Sequence, residues 1–320
     1  VQARIVDDGL GENAKTSLQN AENASIIYVS SSSSGNVAGI PFEDEDILAY
    51  DEKTGGWSMF FDGSHYGLGG SDLLDVDAFH VMEDGRILLS IRGDSPLPGL
   101  IRVDDSDIVL FNKTAESHYF ELFFDGSAVG LSSRGEDVDA LTLLSDGALI
   151  LSTVGSYSTG VISGNDEDLL RIERDGSGVF SAKNWTVHLD GSKVGLNDSS
   201  GEDVWGVAVE DFDDVFHLTV RGRYAVEDIN GDSADIFLCQ WNDNADCTFD
   251  LKWQGSANGF SGENVDGISL YSQNIVVPTV EPTATDEPTN TPPPTNTPPP
   301  TATNTPPPTA TNTPPPTATN

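Results

Sequence analysis

The chain has 320 residues, 37% of them hydrophobic, with 14 Phe, 7 Tyr and 5 Trp, which is enough apolar material for one core of about 250 residues. Asp and Glu number 52 against 15 Lys and Arg, and a formal net charge of −37 repels phosphate backbones and anionic lipid surfaces. No apolar run reaches the roughly 18 residues that a membrane-spanning helix needs.

In chain order, residues 1–23 are polar, with one short strand-like piece, ARIV. They read as an N-terminal arm, either loose or donated as a strand to a neighbouring molecule. The chain opens on Val1 rather than Met, which points to a processed, exported protein.

An internal repeat then takes over. The stretch from Phe123, FFDGSAVGLSSRGEDVDALTLL, recurs from Phe60, from His188 and, more decayed, from Lys252, and its glycine falls at Gly63, Gly126, Gly191 and Gly255. A second block keeps the same phase: DEDILAY from Asp44, DSDIVLF from Asp105, DEDLLRI from Asp166 and SADIFLC from Ser233. Short apolar runs lie between them, RILLSI from Arg86, ALILST from Ala148 and VFHLTV from Val215, so each repeat holds four strand-like runs.

The two ends of the repeat region are complementary fragments. ASIIYVSSSS from Ala24 matches the second strand of a repeat, and VDGISLYS from Val265 matches a first strand. Radially repeated four-stranded units, closed by pairing of the chain ends, predict an all-β fold, a four-bladed β-propeller over residues 24–277. The blades are residues 76–127, 138–192, 204–256, and 265–272 joined to 24–64. VWGVAVEDFDDVFHLTVRG from Val204 resembles the strands of bacterial NHL-like propeller repeats, and the resemblance implies the same fold.

From Pro278 the composition shifts to Pro, Thr, Ala and Asn, and 15 of the 18 prolines lie in residues 278–320. Such a sequence favours extended polyproline II and would reach about 130 Å. It resembles O-glycosylated mucin-like stalks and the PTATNTPP linkers of secreted Chloroflexota-type proteins. Thr291, Thr295, Thr297, Thr301, Thr303, Thr305, Thr309, Thr311 and Thr313 are candidate O-glycan sites, and the sequons at Asn23, Asn112, Asn184 and Asn197 are candidate N-glycan sites.

The chemistry on offer is carboxylate chemistry. Asp75 with Asp77, Asp137 with Asp139, and Asn264 with Asp266 stand two apart at the start of a first strand, and Trp205 replaces the second member in the third copy. Asp44 with Asp46, Asp105 with Asp107, and Asp166 with Asp168 repeat the spacing before third strands. Asp228, Asn230 and Asp232, followed by Asp235, resemble the opening of an EF-hand or dockerin loop, but Ser233 and Cys239 stand where its Gly and bidentate Glu belong. Oxygen-only clusters suit Ca2+; the alternative is that these aspartates cap loops through backbone amides.

Cys239 and Cys247, across a polar NDNAD turn, are within disulfide reach if that turn closes a hairpin. The five histidines, at 65, 80, 118, 188 and 217, show no metal-ligand spacing, and no GxSxG nucleophile elbow is present. Tyr66, Tyr157 and Tyr224 fall in loops where exposed rings could stack on sugars.

These features predict a non-enzymatic extracellular glycoprotein, the self-assembling subunit of a surface or matrix fibre. The N-terminal arm or the tail would dock head-to-tail on the next copy. The competing expectation is a Ca2+-dependent carbohydrate- or protein-binding adhesin on a stalk.

Overall fold

The structure is a computed structural model that describes residues 25–272 apart from 72–73, 94–95, 101, 114–116, 197–200, 210–214 and 243–245. The N-terminal arm, the Thr/Pro tail with the nine candidate O-glycan threonines, Asn23 and Asn197 lie outside the described residues.

Four antiparallel four-stranded sheets form a four-bladed β-propeller. From the innermost strand outward, blade one is Val76–Val81, Ile87–Ile91, Ile108–Lys113 and His118–Phe124. Blade two is Val138–Leu143, Leu149–Thr153, Leu169–Arg174 and Phe180–Leu189. Blade three is Val204–Val209, Val215–Val220, Asp235–Asn242 and Asp246–Gln254. Blade four takes its innermost strand, Val265–Ser272, from the far end of the repeat region and pairs it with Ser25–Ser31, Ile47–Asp51 and Gly56–Phe61. The register Ile27 to Leu270 and Val29 to Ile268 closes the ring.

The apolar runs are continuous because the middle strands are buried on both faces. Leu88 and Leu110 pack with Leu141 and Leu170 of blade two, while Leu89, Val109 and Phe111 pack with Tyr28, Ile47 and Phe61 of blade four. Two further layers fill the remaining junctions, one around Phe216 and Phe237, the other around Trp253 and Phe260. The core is therefore four walls between blades, and no blade has an apolar interior of its own.

The DGS repeat is a joint. In three copies its Asp accepts a backbone N–H from the short helical turn that follows: His65 N at 3.0 Å for Asp62, Ala128 N at 2.8 Å for Asp125 and Lys193 N at 3.3 Å for Asp190. The glycine after it has no room for a side chain. A Cβ at Gly63, Gly126, Gly191 or Gly255 would overlap the carbonyl oxygen of Glu45, Ser106, Glu167 or Ala234.

Small two-stranded hairpins that the sequence pattern did not announce join second to third strands in three blades: Gly35–Val37 with Ile40–Phe42, Tyr157–Ser158 with Ser163–Gly164, and Tyr224–Val226 with Ile229–Gly231. Glu136 and Glu202 brace two of them, accepting from Ser158 N at 2.8 Å and Ala225 N at 3.1 Å.

Candidate functional site

The innermost strands crowd the propeller axis. Neighbouring inner strands pack together, and even diagonally opposite ones have Cα atoms within 8 Å. Position 78 of the repeat is accordingly held by Ala78, Ala140, Gly206 and Gly267, where a Cβ on Gly267 would press on Ser30 Oγ and the Phe79 ring.

One residue before that position, every inner strand carries a β-bulge. The pairing steps from Val76 to Ala78, from Val138 to Ala140 and from Val204 to Gly206 against consecutive partners, and blade four places Asp266 and Gly267 opposite Ser30 alone. The extra residues are Asp77, Asp139, Trp205 and Asp266. A bulge re-aims a side chain that regular pleating would send into the sheet. Two residues earlier, the loops entering these strands contribute Asp75, Asp137, Asp203 and Asn264.

Six aspartates thus meet near the axis, and few donors reach them. Apart from Asp139's own backbone amide, no hydrogen-bond donor meets Asp75 Oδ1, Asp137 Oδ1, either oxygen of Asp139, or Asp266 Oδ2. Asp139 and Asp266 are each only 3% exposed. Ser30 Oγ donates to Asp266 Oδ1 at 2.6 Å, Arg92 lies 3.3 Å from Asp75 Oδ2, and the Trp205 and Asp139 side chains hydrogen-bond Asp203. Arg221 stacks on Trp205, 5.4 Å from the ring centre.

Burial, before any other cause, raises the pKa of every one of these carboxyls. Asp75 is pushed up to about 7, with the Asp44 charge adding and Arg92 opposing. Asp137 and Asp203 rise to about 8, next by the charges of Asp105 and Asp166 respectively. Asp77, Asp139 and Asp266 lie well above the carboxylate range, next through Asp137, Asp203 and Asp75 in turn. His80, further along the axis beside Thr142 Oγ1 at 3.1 Å, is driven down to about 4 by burial and is neutral at pH 7.

The second set of acidic pairs has a different fate. Asp46, Asp107, Asp168 and Asp235 accept on Oδ1 from the DGS-position glycines Gly63, Gly126, Gly191 and Gly255, at 2.8, 3.0, 2.9 and 3.2 Å. Their Oδ2 atoms accept from Glu43, Asp104, Asn165 and Asp232 amides at 2.9, 3.1, 3.4 and 3.4 Å. For Asp107, Asp168 and Asp235 the expected cation role gives way to loop capping, because backbone amides already occupy both oxygens. Asp105 and Asp166 serve through their main-chain carbonyls, which accept from Val138 N at 2.9 Å and Val204 N at 3.1 Å and tie each blade to the next.

The EF-hand-like run is likewise spent on structure. Asp228 is in a hairpin turn, Asn230 is paired with Ala225 on a strand, and Asp232 Oδ1 accepts from Ala234 N at 3.2 Å. Among the described residues no group of three His, Cys, Asp or Glu side chains stands in ready-made metal geometry. Asp203 was missing from the acidic pairs read from the sequence, and Asp266 entered only as the partner of Asn264. Their signal was alignment of all four copies on the DGS glycine, which Trp205 and Asn264 obscure.

Other expected sites divide. Cys239 and Cys247 are disulfide-bonded, with Cα atoms 5.2 Å apart, as diagonal neighbours on the outer hairpin of blade three. Asn112 is 8% exposed on the third strand of blade one, where a glycan has no room, while Asn184 is half-buried and donates to the Glu173 carbonyl. Tyr157 and Tyr224 are buried, Tyr157 donating to Asp168 Oδ2 at 3.0 Å, so neither offers a face to a sugar. Tyr66 is wedged among Phe61, Phe111 and His118. A cleft of about 150 Å³ between blades three and four, lined by Asp232, Ser256, Glu263 and Asn264, is small for a sugar or peptide.

No family model and no curated protein matches this chain. Among solved structures it is similar to a nidogen/laminin complex at 8% identity and TM-score 0.31, over 77% of this chain and 98% of that one. It is also similar to the extracellular domain of a putative one component system from B. thetaiotaomicron, at 11% identity and TM-score 0.32, over 78% and 38%. YCF48 bound to D1 peptide is similar at 10% identity and TM-score 0.28, over 66% of this chain and 48% of that one, so the chain spans about half of YCF48. At these identities the likeness says nothing of activity or partners.

Proposed function

We propose that this chain is an extracellular, non-catalytic structural propeller, the repeating subunit of a surface or matrix fibre. The observation that carries the reading is a repeated apolar position on the open outer edges. Leu122, Val187 and Leu251 occupy the same place on the outermost strands of blades one, two and three, at 46%, 39% and 40% exposure, and the half-buried Met59 is their counterpart in blade four. Natural edge strands are ordinarily blunted against pairing; a recurrent apolar residue on each of four edges suits contacts between copies.

The disulfide agrees with export, since such bonds persist in oxidising compartments. No described helix is long and apolar enough to cross a membrane. The NHL-like strand pattern and the Chloroflexota-type, O-glycosylated tail belong to this reading as sequence resemblances. Head-to-tail docking by residues 1–23 or by the tail completes it.

Negative-stain electron microscopy of the native protein tests it: filaments with an axial repeat near one propeller diameter are expected. Their loss in a Leu122→Lys, Leu251→Lys variant would assign the contacts to the outer strands. Isolated particles at high concentration would refute the fibre. A second reading, a Ca2+-dependent binding module, is favoured by the acidic axis; retention on a glycan or protein array that EDTA abolishes would support it.

A further inference from the structure

We propose that the propeller axis binds one calcium-class divalent cation, held by Asp77, Asp139 and Asp266 from three blades with Asp75, Asp137 and Asp203 around them. The inference is independent of the fibre reading. It starts from the bulges. Three of four inner strands spend a backbone irregularity on turning an aspartate toward the axis, at positions where the remaining strand has Trp205. Loop capping, the fate of the neighbouring acidic set, is not what these residues do: apart from its own backbone amide, no amide or hydroxyl reaches either oxygen of Asp139, and none reaches Asp266 Oδ2.

The energetics point the same way. A buried carboxylate without donors costs several kcal/mol, and bringing several together adds repulsion to desolvation. Arg92 is the basic group hydrogen-bonded to the set, and it contacts Asp75 with its own side chain 55% exposed. An ion at the centre turns mutually repelling oxygens into ligands. The donors are all oxygen, and their number fits the 6 to 8 ligands of Ca2+, a hard cation that tolerates irregular geometry. Among the described residues no three of these carboxyls already stand in ion-binding geometry, so binding requires their side chains to rotate onto the ion.

Trp205 supplies the probe. It stands at the fourth bulge of the ring, so a lanthanide bound there is excited through its indole. The full chain, stripped with EDTA and dialysed, is titrated with Tb3+ under indole excitation and with Ca2+ in thermal melts. Saturable sensitised emission at one equivalent, displaced by Ca2+, and a Ca2+-dependent rise in Tm are expected. Asp139→Asn and Asp266→Asn should each weaken Ca2+ by roughly tenfold or more. Asp107→Asn, altered only at a capping carboxylate, should leave Ca2+ affinity unchanged. Trp205→Phe should lose the sensitised emission and keep the Ca2+ response, which keeps the test readable if the Asn variants fold poorly. No Ca2+ response in the wild type overturns the proposal, and so does a response that survives in the Asp139→Asn, Asp266→Asn double variant, since the ion then sits on the acidic surface.

Discussion

Two sets of aspartates with the same spacing in the same repeats end in opposite electrostatic situations. The loop-capping set, Asp46, Asp107, Asp168 and Asp235, has an amide on each oxygen. In the axial set, Asp139 has no donor on either oxygen beyond its own backbone amide, and Asp75, Asp137 and Asp266 each leave one oxygen without one. The difference lies in what the backbone offers. Before a third strand, the turn and the incoming DGS glycine aim two N–H groups at one point; at the axis, inner strands face each other with their amides already committed to the sheets. Burial alone therefore does not say whether a carboxylate is structural.

The comparison breaks most visibly at the glycine that serves the capping set. Gly126→Ala places a methyl on the Ser106 carbonyl and should cost at least about 3 kcal/mol in chemical denaturation. Asp107→Ala, which strands the amides of Asp104 and Gly126, should cost about 2–3 kcal/mol by the same measurement. Reducing the Cys239–Cys247 disulfide, a short loop far from both sets, should cost about 2 kcal/mol and leave the Ca2+ response intact. Asp139→Asn should act in the reverse direction in EDTA, raising stability by about 1 kcal/mol because a neutral amide removes the cost of protonating a carboxyl whose charged form the interior disfavours.

The smallest effect is a slope. Burial, ahead of the Asp104 charge, raises Asp107 to about 6, against the amides that lower it. The folded chain then holds a proton that the unfolded chain has released, so this group's contribution is fully present below its unfolded value near 4 and declines as pH rises through about 6. The difference in stability between wild type and Asp107→Asn should shift in that window, with the wild type losing ground as pH rises. A flat difference between pH 4 and 7 would remove the burial argument for this carboxyl.

Much of this was legible in the sequence. The DGS spacing, the four runs per repeat and the complementary ends specified the blades and the closure, because a β-propeller repeats its local pattern radially and each apolar run must be buried on both faces. Pairing of Ser25–Ser31 with Val265–Ser272 follows from that logic. The small hairpins were hidden because their strands are only two or three residues long, and two of them are braced by glutamates of neighbouring loops, Glu136 and Glu202. Buried Tyr157 was misplaced for a related reason: a loop tyrosine is indistinguishable in sequence from an exposed one until its hydroxyl finds Asp168.

By itself, then, the sequence determined the blade count, the closing strands and the residue types that line the axis, since periodicity and composition are local properties. Only the tertiary structure decided which acidic pair became a clamp and which became an axial cluster. That choice depends on where backbone amides point after the blades close, on bulges that shift Asp77, Asp139 and Asp266 off the regular pleat, and on the approach of four strands separated by tens of residues in the chain.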